Sequence, residues 1–443
     1  MAWDFSTEPE FEEKLEWMRG FVRNEIVPLE TLDLDAAAFA RATRPLKDEV
    51  KAQGLWAAHL PPELGGGGFG QVKLGLMHET LGQCGYAPAI FGNNAPDSGN
   101  AELLALGAND EQKKKWLEPL LAGQVRSAFS MTEPGAGADP TLLATRAVRD
   151  GDHYVINGHK WFTSNGSVAD FLIVMAVTDP DAPARKRATM FVVPADTPGV
   201  DVLRDIETMG DIGGHSASNH GASNHGASKH GGRPGGHSEI TYTDVRVPAA
   251  NRIGAEGDGF LLAQQRLGPG RIHHCMRWLG QSKRAFDTLC ERAKSRYTHG
   301  SVLADKQMIQ DWIATSAAEM TAARLMTLQA AWKMDTGGTA AALTDIAMIK
   351  FYGARVLYNV IDRAIQVHGS LGYTTDLPLE SMYRHARAAR IYDGPDEVHK
   401  VTVARRILRN YEARDVPTEH VPTRRAEAEK KFARLLDTTA VNS

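Results

Sequence analysis

An acidic loop near the carboxyl-terminal end of the chain carries the side chain best suited to chemistry. The segment is Arg390-Ile391-Tyr392-Asp393-Gly394-Pro395-Asp396-Glu397, and helical patterns flank it on both sides. Asp-Gly-Pro ends a helix, because glycine frees the backbone and proline removes a hydrogen-bond donor. A carboxylate on a loop between two rigid helices is well placed for catalysis. We therefore predict that Asp393 is a general base; the alternative is that it only caps the following helix.

The elements around this loop are predicted to be helices. Beyond Val247-Pro248, apolar residues recur every three to four positions up to about residue 412. Three such stripes are Ile272, Met276, Leu279, Phe286 and Leu289; Ile309, Ile313, Ser316, Met320 and Ala323; and Ala347, Lys350, Ala354, Leu357, Ile361, Ala364 and His368. Long amphipathic helices joined by short loops form bundles. We predict a C-terminal four-helix bundle over residues 249–412 and a peripheral tail over residues 413–443.

The N-terminal part of the chain, residues 1–125, is predicted to be a helical domain. Phe11, Leu15, Met18, Val22 and Ile26 follow helical spacing, and Pro28 is expected to end their helix. Further helices are expected over residues 74–84 and 101–106, with Asp110 as the N-cap of another. The four glycines at 65–68 could cradle a phosphate, but no Lys-Ser/Thr pair or dinucleotide fingerprint accompanies them, so we interpret them as a turn.

Between the helical regions the hydrophobic period becomes that of strands. Residues 144–148, 153–156, 160–163, 171–177, 189–193 and 239–247 fit short strands. Asp150-Gly151 and Asn157-Gly158 are strong hairpin signals, and no crossover helix is apparent. We predict a central antiparallel β-domain over residues 126–248, which makes the whole chain an α+β protein.

A histidine-rich insertion interrupts this β-domain at residues 215–237. Its centre is a tandem repeat that starts with Ala217-Ser218-Asn219-His220-Gly221, and His215 and His237 flank it. Small polar residues and glycine bury too little apolar surface to become ordered, which favours a flexible hairpin extension. The alternative is a metal-binding or pH-sensitive flap, because imidazole titrates near pH ~6.5 and ligates zinc when neutral. Equal heats of zinc binding for the wild type and a repeat deletion would exclude metal binding.

Composition and charge exclude several classes of protein. The 443 residues carry a formal net charge of −4, with 42% hydrophobic and 23% charged residues, which is typical of a globular protein. A nucleic-acid binder would need an excess of basic residues.

Cys84, Cys275 and Cys290 have no paired or metal-ligand spacing, as expected in a reducing cytosol. We find no signal-peptide pattern and no apolar run near the roughly 20 residues of a membrane span, so we expect a cytoplasmic protein without a metal site.

Several motifs resemble, in order, those of the acyl-CoA dehydrogenase family. They are Pro62-Glu63-Leu64-Gly65-Gly66, Phe129-Ser130-Met131-Thr132-Glu133-Pro134-Gly135-Ala136-Gly137, Asn157-Gly158-His159-Lys160-Trp161-Phe162 and Asp244-Val245-Arg246-Val247-Pro248. The likeness extends from about residue 5 to residue 412. It implies FAD as cofactor, an acyl-CoA thioester as substrate, electron-transfer flavoprotein as electron acceptor, and a homotetramer or homodimer.

The resemblance also implies roles for individual residues. It assigns the flavin ring to Phe129, Met131, Thr132, Phe162, Thr163 and Ser164, and further cofactor contacts to Pro395 and Glu397. Arg296 and Gln307 would reach the FAD of a neighbouring subunit, while Gln366 and Ser370 would lie over the adenosine side. The substrate side would include Arg271, Gly394, Arg405 and Ala138, which stands where many relatives carry a serine that bonds CoA. Without the resemblance, Thr132 would be an ordinary strand residue, Phe162 core packing and Arg296 a solvated charge.

The resemblance makes Asp393 the base of the reaction. Most relatives carry Glu at this position, and some use a Glu at the position of Gly270, which has no side chain here. The sequence Asp-Gly-Pro-Asp-Glu-Val-His resembles a subfamily in which Asp serves as base. Asp393 would take the α-proton while the β-hydrogen leaves as hydride to flavin N5, giving a trans-2-enoyl-CoA. An apolar acyl chain is expected to raise the pKa of Asp393 by desolvation.

Two other functions remain open at this point. A nitroalkane-oxidising flavoenzyme of the same superfamily also uses an Asp base, with oxygen as acceptor. The second alternative is a non-enzymatic, flavin-containing interaction protein, which the charge balance and the acidic residue disfavour. A flavin monooxygenase fits less well, because those relatives tend to lack this carboxylate.

Overall fold

The computed structural model describes residues 7–32, 34–209 and 236–436. The chain divides into two compact units, Met1–Lys400 and Val401–Ser443. The predicted boundaries near residues 125, 248 and 412 therefore stay a prediction. Most of the histidine-rich insertion, including His215 and the tandem repeat, lies outside the described residues, whereas His237 lies within them.

The helices fall into an N-terminal group and a C-terminal group, with the strands between them. The N-terminal helices are α1 Pro9–Phe21, α2 Ala36–Ala52, α3 Gln71–Leu81, α4 Ala87–Ile90, α5 Asp97–Gly107, α6 Asp110–Gln112 and α7 Glu118–Ala122. The C-terminal helices are α8 Gly259–Ser295, α9 Gln307–His368, α10 Leu379–Ala388, α11 Asp396–Leu408 and α12 Val421–Leu436. This order confirms the predicted α+β fold class.

Two local predictions in the N-terminal region need correction. The apolar stripe from Phe11 to Ile26 is buried as predicted, but α1 ends at Phe21 and the chain continues through a π-helical turn over Val22–Ile26. The N-cap of α6 is Asn109, not Asp110. Asn109 and Gln112 bond each other's backbone N–H groups in a capping box, which satisfies two donors at once. The glycines at 65–68 form a turn, as predicted, with Gly65 in the left-handed region at φ 79°.

Helices α8, α9 and α10 pack together as a bundle, as predicted, and α9 is one long broken helix. Helix α9 is interrupted at Gly338, where φ is 74° and ψ is 176°. Its two halves fold back on each other, because Arg363 bonds Glu319 at 2.7 Å and Lys333 bonds Asp345 at 2.8 Å across the break. The apolar stripes predicted for α8 and for both halves of α9 face the interior.

Within the described residues, the sheet between the two helical groups contains eight strands. They are β1 Ser127–Ser130, β2 Arg146–Asp150, β3 His153–Ser164, β4 Phe171–Val177, β5 Ala188–Pro194, β6 Val200–Ile206, β7 His237–Pro248 and β8 Arg252–Ile253. The main path is β6-β7-β3-β1-β4-β5-β8, and β2 pairs with β3 and β4. Outside the sheet, β9 Tyr297–Thr298 and β10 Ser301–Val302 form a small hairpin after α8.

The sheet is mixed, whereas a purely antiparallel one was expected. Most pairs are antiparallel, but β1 and β2 both run parallel to β4. The sequence prediction missed β1, which is short and ends in the loop at Met131. One face of the sheet packs against helical residues such as Leu103, Leu104 and Leu262, and this packing brings β1 close to α8.

The Asn157-Gly158 pair lies inside a continuous strand and does not form the predicted hairpin. It marks a β-bulge in the pairing of β3 with β7. Asn157 accepts a hydrogen bond from the backbone N–H of Asp244 at 2.9 Å. A Cβ at Gly158 would lie 2.3 Å from Oγ1 of Thr145, so close approach of two strands requires glycine here. The hairpin predicted at Asp150-Gly151 does form, between β2 and β3.

Candidate functional site

The loop between α10 and α11 holds Asp393 in a fixed conformation. Asp393 adopts a left-handed backbone at φ 54°, which aspartate tolerates better than most residues. Its carbonyl oxygen accepts two hydrogen bonds of 3.1 Å, from Nε of Arg271 and from Nε2 of His399. Gly394 follows at φ 95°, where a Cβ would lie 2.9 Å from His399 Nε2. These contacts and the two backbone conformations therefore fix the position of the Asp393 backbone, from which its side chain projects.

The Asp393 carboxylate points towards α8. Its Oδ2 atom lies 3.2 Å from Nε2 of His274, and 23% of the side chain is exposed. Helix α11 begins at Asp396, so the residue at its N-cap position is Pro395. The contact of the Asp393 carboxylate with His274 favours a role on the α8 side over capping of α11.

The surroundings of Asp393 keep it ionised. Burial raises the pKa of Asp393, but the hydrogen bond from His274 and the charges of Arg271 and Arg266 outweigh this and hold the pKa well below its ordinary value. Without a bound substrate, the pKa of Asp393 is therefore lowered. The rise in this pKa that a bound acyl chain is expected to cause stays a prediction. At neutral pH the group is a carboxylate, the form that a general base requires.

A buried lysine of α9 contacts the backbone next to the Asp393 loop. Lys350 is fully buried on α9, and its Nζ atom donates to the carbonyl oxygen of Ala389 at 2.7 Å. The ammonium group lies 5.2 Å from the ring centre of Trp278 and 5.3 Å from that of Tyr392. Trp278 Nε1 donates to the Tyr392 hydroxyl at 2.9 Å. The helix end before Asp393 is thereby tied to both α8 and α9.

A second cluster of predicted site residues lies where β1 and β3 meet. Phe129 pairs with Ser164, and the hydroxyl of Thr163 lies 3.2 Å from that of Ser130. Phe162 has a left-handed backbone at φ 51° and leaves 40% of its surface exposed. Exposed aromatic surface beside hydroxyl groups at the ends of two neighbouring strands is suited to a flat, polar-edged ring system. Met131 and Thr132 continue from β1 and are half-buried.

A buried ion pair fixes the backbone of this second cluster. Nζ of Lys160 donates at 2.8 Å both to the carbonyl oxygen of Met131 and to Oε1 of Glu133. Glu133 in turn accepts from the backbone N–H groups of Ala144 and Thr145, at 2.7 and 3.0 Å. The Lys160 side chain has no exposed surface. The loop after β1 is therefore held by Lys160 and by the backbone N–H groups of Ala144 and Thr145.

Arg266 of α8 links the two clusters. Its guanidinium lies 4.0 Å from the ring centre of Phe129, and its charge lowers the pKa of Asp393. Sequence analysis missed Arg266 and also His274. The available signal for His274 was its spacing of three from both Arg271 and Arg277, since residues three apart lie on one helix face. Arg266 gave no such signal.

The other predicted cofactor residues lie at the far end of the bundle. Arg296 directly follows α8, and Gln307 begins α9 after the small hairpin. Arg296 lies 25 residues beyond Arg271, roughly 37 Å along the helix. Gln366 and Ser370 are exposed at the end of α9, near the same end of the bundle. The structure of one chain does not bring these four residues to Asp393.

The remaining predicted residues are placed as follows. Gly394 and Pro395 are half-buried in the Asp393 loop, and Glu397 is exposed in the first turn of α11. Ala138 is exposed in the loop after β1. Arg405 lies in the last turn of α11, within the second compact unit. Their roles stay predictions.

Comparison with known proteins identifies the family. Models described as the N-terminal, middle and C-terminal domains of acyl-CoA dehydrogenase match residues 8–124, 128–219 and 257–408. The "Probable acyl-CoA dehydrogenase FadE2" of Mycobacterium tuberculosis is 44% identical over 364 residues, which cover 81% of this chain and 84% of that protein. The chain belongs to the acyl-CoA dehydrogenase family. Its members are oxidoreductases, so the predicted enzyme class is confirmed.

Further comparisons define the extent of the likeness. Mouse acyl-CoA dehydrogenase family member 10 is 40% identical over 404 residues, but the chain spans only 36% of that protein's length. A solved chain from Mycobacterium abscessus, assigned to the acyl-CoA dehydrogenases, has a TM-score of 0.83 at 38% identity and covers 92% of this chain and 100% of its own. The FAD complex of PigA has a TM-score of 0.78 at 24% identity, covering 91% and 99%, and shows the shared fold.

FAD as the cofactor is confirmed at the level of the family and its fold. The side chains at the junction of β1 and β3 fit a flavin, because Phe162 offers exposed ring surface while Thr132 and Ser164 carry hydroxyl groups. Within the described ranges, none of the helices combines the length and the apolar character that crossing a membrane requires.

Proposed function

We propose that the protein catalyses the FAD-dependent α,β-dehydrogenation of an acyl-CoA thioester to the trans-2-enoyl-CoA, with Asp393 as the base. The observation that carries the proposal is the ionised carboxylate of Asp393, partly exposed and separated from the Phe129 cluster by Arg266. A base and a hydride acceptor must lie on opposite sides of the substrate's α,β-bond. In the proposed reaction, the Asp393 loop and the Phe129 cluster would provide these two sides within one chain.

The residues of this chain would divide the work as follows. Asp393 would accept the α-proton on a carboxylate oxygen, while Arg271 and His399 keep its backbone still. Bound FAD would supply the acceptor for the β-hydrogen and its electron pair. Phe129, Met131, Thr132, Phe162, Thr163 and Ser164 would hold the flavin ring, and Pro395 and Glu397 would add contacts from the Asp393 loop. Gly394 and Ala138 would contact the CoA substrate, and the substrate role of Arg405 stays a prediction from the resemblance.

The direct test is anaerobic mixing of the FAD-bound protein with a panel of acyl-CoAs of different length. Transfer of the two electrons would bleach the flavin absorbance, and the chain length that gives the fastest bleaching would define the substrate. FAD-saturated protein that keeps its absorbance with every member of the panel would refute the proposal. Turnover with an electron-accepting dye but little with oxygen is expected; fast oxygen-dependent oxidation of a nitroalkane would instead support the alternative reaction.

We further propose that the active form is a homotetramer, or a homodimer, in the cytoplasm, and that electron-transfer flavoprotein is the electron acceptor. The position of Arg296 and Gln307, far along α8 and α9 from the Asp393 loop, supports an assembly in which they bind the FAD of a neighbouring copy. Gln366 and Ser370, at the same end, would contact its adenosine side.

Arg296→Ala is expected to weaken FAD binding by about 10- to 100-fold. An arginine fork that bonds two phosphate oxygens contributes roughly 1.5–3 kcal/mol, and each 1.4 kcal/mol is a factor of ten. FAD dissociation constants can be measured by fluorescence titration of the apoprotein. Lys294→Ala, which removes an exposed positive charge from the last turn of the same helix, serves as the control and should bind FAD like the wild type. Equal affinities for both variants would remove Arg296 from the cofactor site.

A further inference from the structure

A partly buried chain of polar groups ends at the Asp393 carboxylate. On α8, Nη2 of Arg277 lies 2.9 Å from Nδ1 of His274, and Nε2 of His274 lies 3.2 Å from Oδ2 of Asp393. A guanidinium can only donate hydrogen bonds, so Nδ1 of His274 must be the acceptor and carries no proton. The proton of a neutral His274 therefore sits on Nε2 and is donated to Asp393.

Residues of α3 hold Arg277 in place. Its Nη1 atom lies 3.1 Å from Nδ1 of His78, whose ring stacks on His273 at 4.3 Å between ring centres. Nε2 of His273 lies 3.0 Å from Oε1 of Gln71, at the start of α3. Arg277 is thus bonded to two imidazole nitrogens at once, and both must accept. The orientation of His274 is set by a network that spans two helices.

We propose that His274 is a positioning residue for the catalytic base and is itself held as a neutral Nε2–H tautomer by Arg277. It ties down Oδ2 of Asp393 and leaves Oδ1 to receive the α-proton. This inference rests on the proposed function, because it assigns a task to the neighbour of the proposed base. A neutral donor at this place orients the carboxylate without becoming a second acid that could return the proton.

The charges around His274 favour the neutral form. Burial lowers the pKa of His274, and the charge of Arg277 lowers it further, while the hydrogen bond to Asp393 opposes them. Lys350 of α9 also faces it with a positive charge, whereas Arg271 and Arg266 of α8 act on the Asp393 carboxylate. The pKa values of His78 and His273 are lowered as well, chiefly by burial. His274 is therefore expected to keep one protonation state across the working pH range.

The variants His274→Ala and His274→Gln distinguish a role of His274 in positioning the Asp393 carboxylate from a role in packing alone. Glutamine can reproduce both bonds, since its amide nitrogen can donate to Asp393 and its amide oxygen can accept from Arg277. Alanine removes the donor, so the pKa of Asp393 should rise and the acid limb of the flavin-reduction rate should move up by about one to two pH units. The limiting rate at neutral pH should fall about 10- to 100-fold in the alanine variant with little change in the acyl-CoA dissociation constant.

The glutamine variant should stay within about threefold of the wild type and keep its acid limb. Unchanged rates and acid limbs in both variants would overturn the proposal, as would equal losses in both at an unshifted pH profile. Flavin absorbance and melting temperature, measured for each variant, identify one that has failed to fold. If Asp393→Asn itself still reduced the flavin at the wild-type rate, the proposed function would fail; if only the His274 variants behaved like the wild type, positioning alone would fail.

A second measurement reads the tautomer without turnover. In FAD-bound protein labelled with ¹⁵N-histidine, the His274 signal, assigned by its absence from His274→Gln, should show a protonated Nε2 and an unprotonated Nδ1 from pH 6 to 9. In Arg277→Lys, the lysine cannot donate to both imidazoles as the guanidinium does, so a smaller fraction of His274 should be in the Nε2–H form. A doubly protonated or Nδ1–H His274 in the wild type would overturn the proposal.

Discussion

Asp393→Asn is expected to abolish bleaching of the flavin by acyl-CoA while FAD stays bound. Asparagine has nearly the same shape and can still contact His274, but it cannot accept a proton at neutral pH. General-base catalysis typically contributes about 10²- to 10⁴-fold, so the rate of flavin reduction should fall by about 10²- to 10⁴-fold if no other group substitutes. Rapid-mixing absorbance, with the best acyl-CoA from the panel, measures this rate directly.

The matched control for this change is Asp376→Asn. Asp376 is an exposed carboxylate in the turn before α10, so the same loss of charge occurs away from the loop. It should reduce flavin at the wild-type rate. The dissociation constant for acyl-CoA should change little in Asp393→Asn, because the lost interaction belongs to the proton transfer and not to binding. Flavin reduction within tenfold of the wild type would show that another group removes the α-proton.

The features predicted well from the sequence depend on local patterns. The stripe from Phe11 to Ile26, the strand at Phe171–Val177 and the break at Asp393-Gly394-Pro395 all follow from spacing or backbone chemistry that a short window contains. The family resemblance then correctly indicated the α+β fold and the FAD-dependent enzyme class. Neither the local predictions nor the family assignment required knowledge of tertiary contacts.

The features that were missed depend on contacts between distant segments. Asn157-Gly158 has the sequence of a turn, but its bulge is set by Asp244 and Thr145, which lie elsewhere in the chain. The parallel pairing of β1 with β4 likewise depends on how the sheet is assembled, not on either strand alone. Arg266 and His274 gain their importance only because the Asp393 loop returns to α8 from more than a hundred residues later.

The sign of the pKa shift at Asp393 illustrates the same limit. Desolvation alone would raise it, as the sequence led us to expect, and burial does act in that direction. The arginines and the histidine that reverse the shift are visible in the sequence, but their distance from the carboxylate is not. Tertiary placement therefore decides the protonation state of the candidate base.

Lys160→Met is expected to destabilise the fold by about 3–5 kcal/mol and to weaken FAD binding, because it leaves the buried Glu133 carboxylate without its counter-ion. The Lys160 side chain is fully buried and that of Glu133 is 6% exposed, so water cannot replace the lost ammonium. Burial lowers the pKa of Lys160 to about 8, while Glu133 acts to raise it, so at pH 7 the ammonium form still dominates. Urea unfolding of the FAD-bound protein, followed by tryptophan fluorescence, gives the free energy.

Two comparison variants make this prediction specific. Lys160→Met/Glu133→Gln removes the stranded charge and should recover part of the lost stability, although the carbonyl oxygen of Met131 still lacks its donor. Lys283→Met breaks an exposed ion pair with Asp287 on α8 and should cost no more than about 1 kcal/mol. A loss of similar size for Lys160→Met and Lys283→Met would mean that the Lys160–Glu133 pair does not hold the loop after β1. The flavin-facing backbone at Met131 and Thr132 would then need another source of rigidity.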